Sequence, residues 1–197
     1  MTELRKLHLG CGSKKLVGYI HVDLADYPHI DHKHDVKSLP MFGDDSIDLI
    51  YASHTLEYFD RCCLTKDNSY EALDVLKEWR RILKPGGILR LAVPDFEKLI
   101  AVYMAYKDLE PKRGVLGPLY GHWPIPGTDK LVSHRTVYDE KSLTGILWRA
   151  GFKQTRPWDW RQVFVGENAG FDDYSQAYYP FDKANGILTS LNIEAIK

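Results

Sequence analysis

The sequence predicts an α/β fold built on a mostly parallel sheet. Three observations carry that prediction. Short apolar runs alternate with helical stripes through most of the chain. The runs are nearly continuous, as in strands covered on both faces. The helical stripes have residues at their ends that start and stop helices.

Taken in order, Leu4 to Leu9 is the first strand and Gly10-Cys11-Gly12 ends it. Tyr19 to Leu24 is the second, with Tyr19, Ile20, Val22 and Leu24 apolar. Ile47 to Ala52 is the third, entered through the turn Gly43-Asp44-Asp45-Ser46. Asn68 and Glu71 read as a capping box, followed by Ala72, Leu76, Trp79 and Leu83 on one face. Arg80, Arg81 and Lys84 favour the negative end of that helix, and Pro85-Gly86-Gly87 stops it. Ile88 to Val93 is the fourth strand. Asp95 caps a second helix with the stripe Phe96, Leu99, Ile100 and Tyr103. Asp139 caps a third, with Leu143, Ile146, Leu147 and Ala150 on one stripe and Gly151 as its stop. Two final strands are expected, over Trp158 to Val165 and over Leu191 to Ile196.

The stretch 107–133 breaks the rhythm with Pro111, Pro118, Pro124, Pro126 and four glycines. A long loop in a compact domain is commonly a lid or a binding element. Tyr120, His122 and Trp123 favour that reading, because they are costly to leave in water.

A length of 197 residues matches one domain at roughly 150 residues per domain. The 44% hydrophobic and 27% charged content excludes a disordered or collagenous chain. The net charge of −1 offers no basic field for nucleic acid, and none is expected as a partner. No apolar run approaches the ~20 residues of a membrane span, and no signal-peptide pattern opens the chain. Cys11, Cys62 and Cys63 form neither a disulfide framework nor a zinc spacing. A cytoplasmic location is the expectation.

The chemistry concentrates at the ends of the predicted strands. In Leu7-His8-Leu9-Gly10-Cys11-Gly12, two glycines one residue apart let a backbone approach a ligand closely. Asp23, at the end of the next strand, suits both hydroxyls of a ribose. Asp35 suits an exocyclic adenine amine. Ser53-His54-Thr55-Leu56-Glu57-Tyr58 places polar groups just past a buried strand. A nicotinamide enzyme is disfavoured, because position 15 is Lys where G-x-G-x-x-G needs Gly.

Together these motifs resemble the class I S-adenosylmethionine-dependent methyltransferases. LHLGCG is similar to that family's first motif, VDL at 22–24 to its acidic strand end, and HDV at 34–36 to its adenine-side segment. LPMFGDDSIDLIYASHTLEYF, LKPGGILRLAVPDF, DEKSLTGILWRAGF and SLNIEAIK resemble its later segments in order. The likeness runs over nearly the whole chain outside 104–135, and most resembles a small bacterial branch found among polysaccharide genes.

The resemblance implies a Rossmann-like, mostly parallel seven-stranded sheet with the last strand antiparallel and helices on both faces. It implies one domain over 1–197, with 104–135 as a lid or substrate-binding insertion, and S-adenosyl-L-methionine as cofactor. Gly10, Cys11 and Gly12 would wrap the methionine end, Asp23 would hold the ribose, and Leu24 would sit beside the adenine. Asp35 and Val36 would meet the adenine amine, and Ser53 and His54 would floor the sulfonium. The family's usual helix after the glycine motif has little room in residues 13–18, so Lys14 or Lys15 would take the carboxylate. Tyr19 and Tyr58 are candidate aromatic faces for the sulfonium.

A hydroxyl or amine acceptor must also lose a proton, which histidine suits near neutral pH. The candidate bases are His54, then His134 and His122, with Glu57 as the carboxylate alternative. The expected acceptor is small or sugar-like. The alternative function is a non-catalytic S-adenosylmethionine-binding or regulatory module of the same fold. His29, His32 and His34 lie close to Asp31 and Asp35, but Asp35 has the adenine-side role, so no metal is assigned.

Overall fold

The computed structural model describes residues 4–67, 69–112 and 114–197. Five strands come first: β1 (Lys6–Leu9), β2 (Ile20–Asp23), β3 (His32–Lys33), β4 (Ile47–Ser53) and β5 (Leu83–Pro94). A hairpin of β6 (His122–Pro124) and β7 (Leu131–Ser133) follows, then β8 (Gln154–Pro157). A second small pair, β9 (Tyr178–Tyr179) and β10 (Ile187–Leu188), precedes the last strand, β11 (Ser190–Ile196). The main sheet has seven strands in the order β3-β2-β1-β4-β5-β11-β8. Pairings from β3 through β5 are parallel, and β11 runs antiparallel to both β5 and β8. Strand order reverses at β1, which lies between β2 and β4, and a ligand crevice opens beyond the carboxyl ends there.

The helices are α1 (Glu71–Ile82), α2 (Phe96–Tyr106), α3 (Leu116–Tyr120), α4 (Glu140–Arg149) and α5 (Trp160–Val163). Among the described residues no helix is long and apolar enough to cross a membrane. One face of the sheet, with Leu7, Leu9, Val22, Ile50, Leu89 and Leu91, packs against α1 and α4. Ala72, Leu76 and Trp79 are fully buried there, as their spacing predicts, but α1 ends at Ile82: Leu83, Lys84 and Pro85-Gly86-Gly87, expected as the helix's last turn and stop, already belong to β5, where Leu83 is buried through its strand pairing. Asp139 caps α4, accepting from Ser142 N at 2.7 Å while the Ser142 hydroxyl takes the Asp139 amide at 3.1 Å. Asn68 lies outside the described residues; α1 begins after Tyr70, whose side chain makes no cap bond.

The opposite face departs from the expectation of uninterrupted apolar strands. It carries His8, His21, Tyr51, Arg90 and Glu194, alternating with the buried aliphatics. Arg90 and Arg156 both hold the Glu194 carboxylate, at 2.8 Å through their Nε atoms. The link from β1 to β2 contains no helix and still joins a parallel pair, so this face lacks the cover a crossover helix supplies. Residues 158–171 take that place. Trp158, Phe164, Trp160 and Val163 pack on Leu16 and Tyr51. Asn168 locks this cover to the short link, its Oδ1 accepting from Val17 N at 2.8 Å. This is why Trp158 to Val165 is not a strand: the strand is Gln154–Pro157, and α5 follows it.

Asp95 caps α2, accepting from Lys98 N at 3.2 Å. The face α2 buries differs from the expected stripe. Leu99 and Val102 are buried, while Phe96 and Ile100 are 37% and 48% exposed. The helix packs on Val115, Tyr179 and Ile187 rather than flat on the sheet.

Candidate functional site

The glycine bend is built by backbone geometry that only glycine adopts freely. Gly10 has φ 63° and Gly12 has φ 53°, both left-handed. A Cβ on Gly10 would lie 2.3 Å from Thr55 Oγ1, so β1 and the turn after β4 approach too closely for any side chain. A Cβ on Gly12 would meet nothing within 4 Å, because that position faces open space. The Asp23 carboxylate pins the bend: Oδ2 accepts from Gly12 N at 2.8 Å and Oδ1 from Ala25 N at 2.7 Å.

A cavity of about 620 Å³ opens in front of this bend. Gly10, Gly12, Asp23 and Leu24 line its floor, with Asp35 and Val36 beside them and His54, Thr55 and Tyr58 past the end of β4. Val36 is held from behind, since Trp79 Nε1 donates to its carbonyl at 2.8 Å. Asp35 closes a local turn by accepting from Lys37 N at 3.0 Å. The β6–β7 hairpin contributes Trp123, Ile125, Pro126 and Val132 to the lining. Pro126 O, accepting from Asp26 N at 2.9 Å, fastens this hairpin to the turn after β2.

His54 stands at the inner end, with φ 48° and its side chain 11% exposed. Its Nδ1 is 3.4 Å from Glu57 Oε1, and His134 Nε2 is 3.7 Å from the same oxygen. Neither contact has hydrogen-bond geometry, and both Glu57 oxygens are buried without a hydrogen-bond partner. Burial pushes the Glu57 carboxyl up to about 8. Burial and the neighbouring His134 push His54 down to about 3, and burial also lowers His134. Near neutral pH the three groups are therefore held uncharged, with one acidic proton on Glu57 between two imidazoles.

Residues 7–91 match the family model of a methyltransferase domain, and that stretch holds the bend, Asp23, Asp35 and His54. The seven-stranded sheet with its one antiparallel strand agrees with it. That stretch resembles a methyltransferase domain, and the whole chain has a fold found in S-adenosylmethionine-dependent methyltransferases. The same fold occurs in a methyltransferase from Thermotoga maritima, described as a possible histamine N-methyltransferase. That protein is 17% identical, with a TM-score of 0.55 over 100% of this chain and 84% of the other. It occurs also in a methyltransferase from Archaeoglobus fulgidus, 17% identical, with a TM-score of 0.53 over 98% and 86% of the two chains. No curated protein sequence matches this one. The residues present fit S-adenosylmethionine: Gly12 leaves open the space a Cβ would take, and a carboxylate stands at the cavity edge beside it.

The chain gathers most of the expected residues at one place, but not all. Gly10, Gly12, Asp23, Leu24, Asp35, Val36, His54 and Tyr58 line the cavity. The Cys11 side chain does not; burial and Asp23 push its thiol up to about 12, so it is inert. Ser53 and Glu57 sit behind the lining. Lys14 and Lys15 are exposed and outside it, as is His122. Tyr19 packs with Leu16 and Tyr51 under the sheet. Tyr120 stays 67% exposed despite its ring. Among the described residues no three side chains form a metal-binding group: His32 meets Phe42, and His29 meets His21. Tyr27 was missed, and the sequence marked 104–135 as a binding element without showing that its hairpin docks beside the glycine bend, because nothing in the local sequence marks where a hairpin docks.

Proposed function

We propose that this methyltransferase holds S-adenosylmethionine in the cavity between the glycine bend and the β6–β7 hairpin and methylates a small acceptor at His54. The observation that carries the reading is that a second cavity meets the first at His54 and Trp123. A site that only sensed the cofactor would have no use for that junction.

In this reading Gly10, Cys11 and Gly12 give their backbone to the methionine end, with no part for the Cys11 side chain. Asp23 has lone pairs left after its two amide bonds, and these receive the ribose hydroxyls. Leu24 and Val36 sandwich the adenine, and Asp35 accepts from its amine. Ser53 supports the floor from behind, and the Tyr58 face borders the sulfonium. The cofactor supplies a methyl group on a positively charged sulfur, an excellent leaving group. The protein then has to align the reactants and take a proton. His54 is the proton acceptor. Above about pH 8, where Glu57 is ionised 3.4 Å from Nδ1, the imidazolium that forms is stabilised by that carboxylate. His134 Nε2 faces the same carboxylate oxygen at 3.7 Å. The acceptor is small or sugar-like, admitted beneath the 104–135 insertion.

His54→Ala tests this. Turnover, read as S-adenosylhomocysteine released with a panel of phenols, amines and sugars, is expected to fall about 10²–10⁴-fold. Cofactor affinity by calorimetry should stay nearly unchanged. The opposite pattern would make His54 a binding residue, and binding without turnover of any acceptor would favour the regulatory module.

A further inference from the structure

Behind His54 and Trp123 the second cavity encloses about 370 Å³. Leu99 and Val102 of α2 form one wall, Val115 another, and the rings of Tyr174, Tyr179 and Phe181 the rest. The polar ends of this lining are already committed. Tyr179 donates its hydroxyl to Asp108 at 2.8 Å, and the Tyr178 hydroxyl accepts from Arg161 at 3.1 Å. Thr189 donates to the Ala177 carbonyl at 3.1 Å. His134 Nδ1 is 2.8 Å from the Pro118 carbonyl, and its Nε2 faces Glu57. Among the described lining residues, His54 at the inner end and, at the exposed rim, Lys112, the Tyr174 hydroxyl and the Trp123 indole N–H remain as charged or polar groups that can meet a ligand.

We infer that this cavity is the acceptor site and that the acceptor is a single-ring phenol whose hydroxyl lies against His54. The inference rests on the reading that the cofactor occupies the first cavity. Benzene fills an apolar cavity of about 150 Å³, so one ring with small substituents fits here. The Tyr174 ring lies against His54, centroids 5.2 Å apart, where an incoming ring can pack edge to face. A sugar presents hydroxyls around its whole edge, and this lining would leave most of them unpaired. The phenol offers one hydroxyl, at the one end with a proton acceptor. Its oxygen gives the proton to the His54 imidazole and its lone pair takes the methyl carbon. The carbon–sulfur bond breaks with its electrons kept by sulfur, giving an aryl methyl ether and S-adenosylhomocysteine.

The test uses the full chain. Calorimetry measures S-adenosylhomocysteine binding first, then p-cresol and methyl α-glucoside in its presence. Mass spectrometry follows methylation of each with S-adenosylmethionine. p-Cresol should bind and gain one methyl group, and the glucoside should do neither. Leu99→Trp, which fills the cavity, should weaken p-cresol binding about tenfold or more and leave S-adenosylhomocysteine within twofold. If circular dichroism shows that variant unfolded, Phe181→Ala at the exposed edge should still weaken p-cresol about threefold. Glucoside methylation without p-cresol methylation, or equal p-cresol affinity in wild type and the folded variant, overturns the inference. Failure of p-cresol with S-adenosylhomocysteine bound overturns the acceptor assignment alone. Failure of S-adenosylhomocysteine itself overturns the cofactor reading and this one with it.

Discussion

Replacing Asp23 by alanine removes a carboxylate that anchors the glycine bend and, in the proposed reading, also receives the ribose. In the free protein its two oxygens accept from Gly12 N at 2.8 Å and Ala25 N at 2.7 Å. Both amides are at the cavity edge, so water replaces part of what is lost. The bend still loses the anchor that fixes Gly12 at φ 53°. The ribose loses a charged acceptor as well, and hydrogen bonds to charged groups contribute about 1.5–3 kcal/mol each. Discounting for the half-exposed position, affinity should fall by about 1–3 kcal/mol, roughly 5- to 150-fold. Titration calorimetry with S-adenosylhomocysteine, run on wild type and the variant, reads this directly. Asp23→Asn keeps one acceptor and should fall between them. A folded Asp23→Ala protein that binds within twofold of wild type refutes the ribose role and leaves Asp23 a loop anchor only.

Three further outcomes are expected. Gly10→Ala should lower stability by at least the ~1–2 kcal/mol of a left-handed non-glycine residue, measured by denaturant unfolding. Combining it with Thr55→Ala should recover part of the loss, because Thr55 Oγ1 is what the new Cβ meets at 2.3 Å. Glu57 favours its protonated form in the fold, so its contribution to stability is complete below its ordinary 4.5 and is lost as pH rises through about 8. Thermal unfolding of wild type should therefore weaken across that window, and Glu57→Gln should flatten the decline. Turnover should rise with pH through about 8 as Glu57 ionises beside His54, a limb that Glu57→Gln should abolish.

Much of the cofactor side was legible because its markers are local. A glycine with positive φ, an acidic strand end and a capping Asp each act within a few residues of themselves. Gly10, Asp23, Asp95 and Asp139 accordingly occupy the positions their neighbours in sequence imply. Errors fell where a distant segment decided the outcome. Trp158 to Val165 has strand composition, but the bare sheet face beside the short β1–β2 link needs a cover, and Trp158 and Phe164 bury themselves there. Ile100 shows a helical period, yet α2 turns Leu99 and Val102 toward the second cavity instead. Lys14 and Lys15 looked like carboxylate anchors from proximity to the bend, and the link carries them out to solvent.

By itself the sequence determined the order of β1, β2, β4, α1, β5, α2, α4 and β11, the paired-glycine turn and the acidic residue beside it, because backbone sterics and hydrophobic periodicity operate over short spans. Tertiary structure alone decided the cover on the second sheet face, the docking of the hairpin beside the first cavity and the meeting of His54, Glu57 and His134. Val17 finds Asn168 151 positions away, and His54 lies against Ser190 136 positions away. Such pairings depend on which surfaces remain unburied once the sheet has formed, a property of the assembled chain that no local pattern encodes.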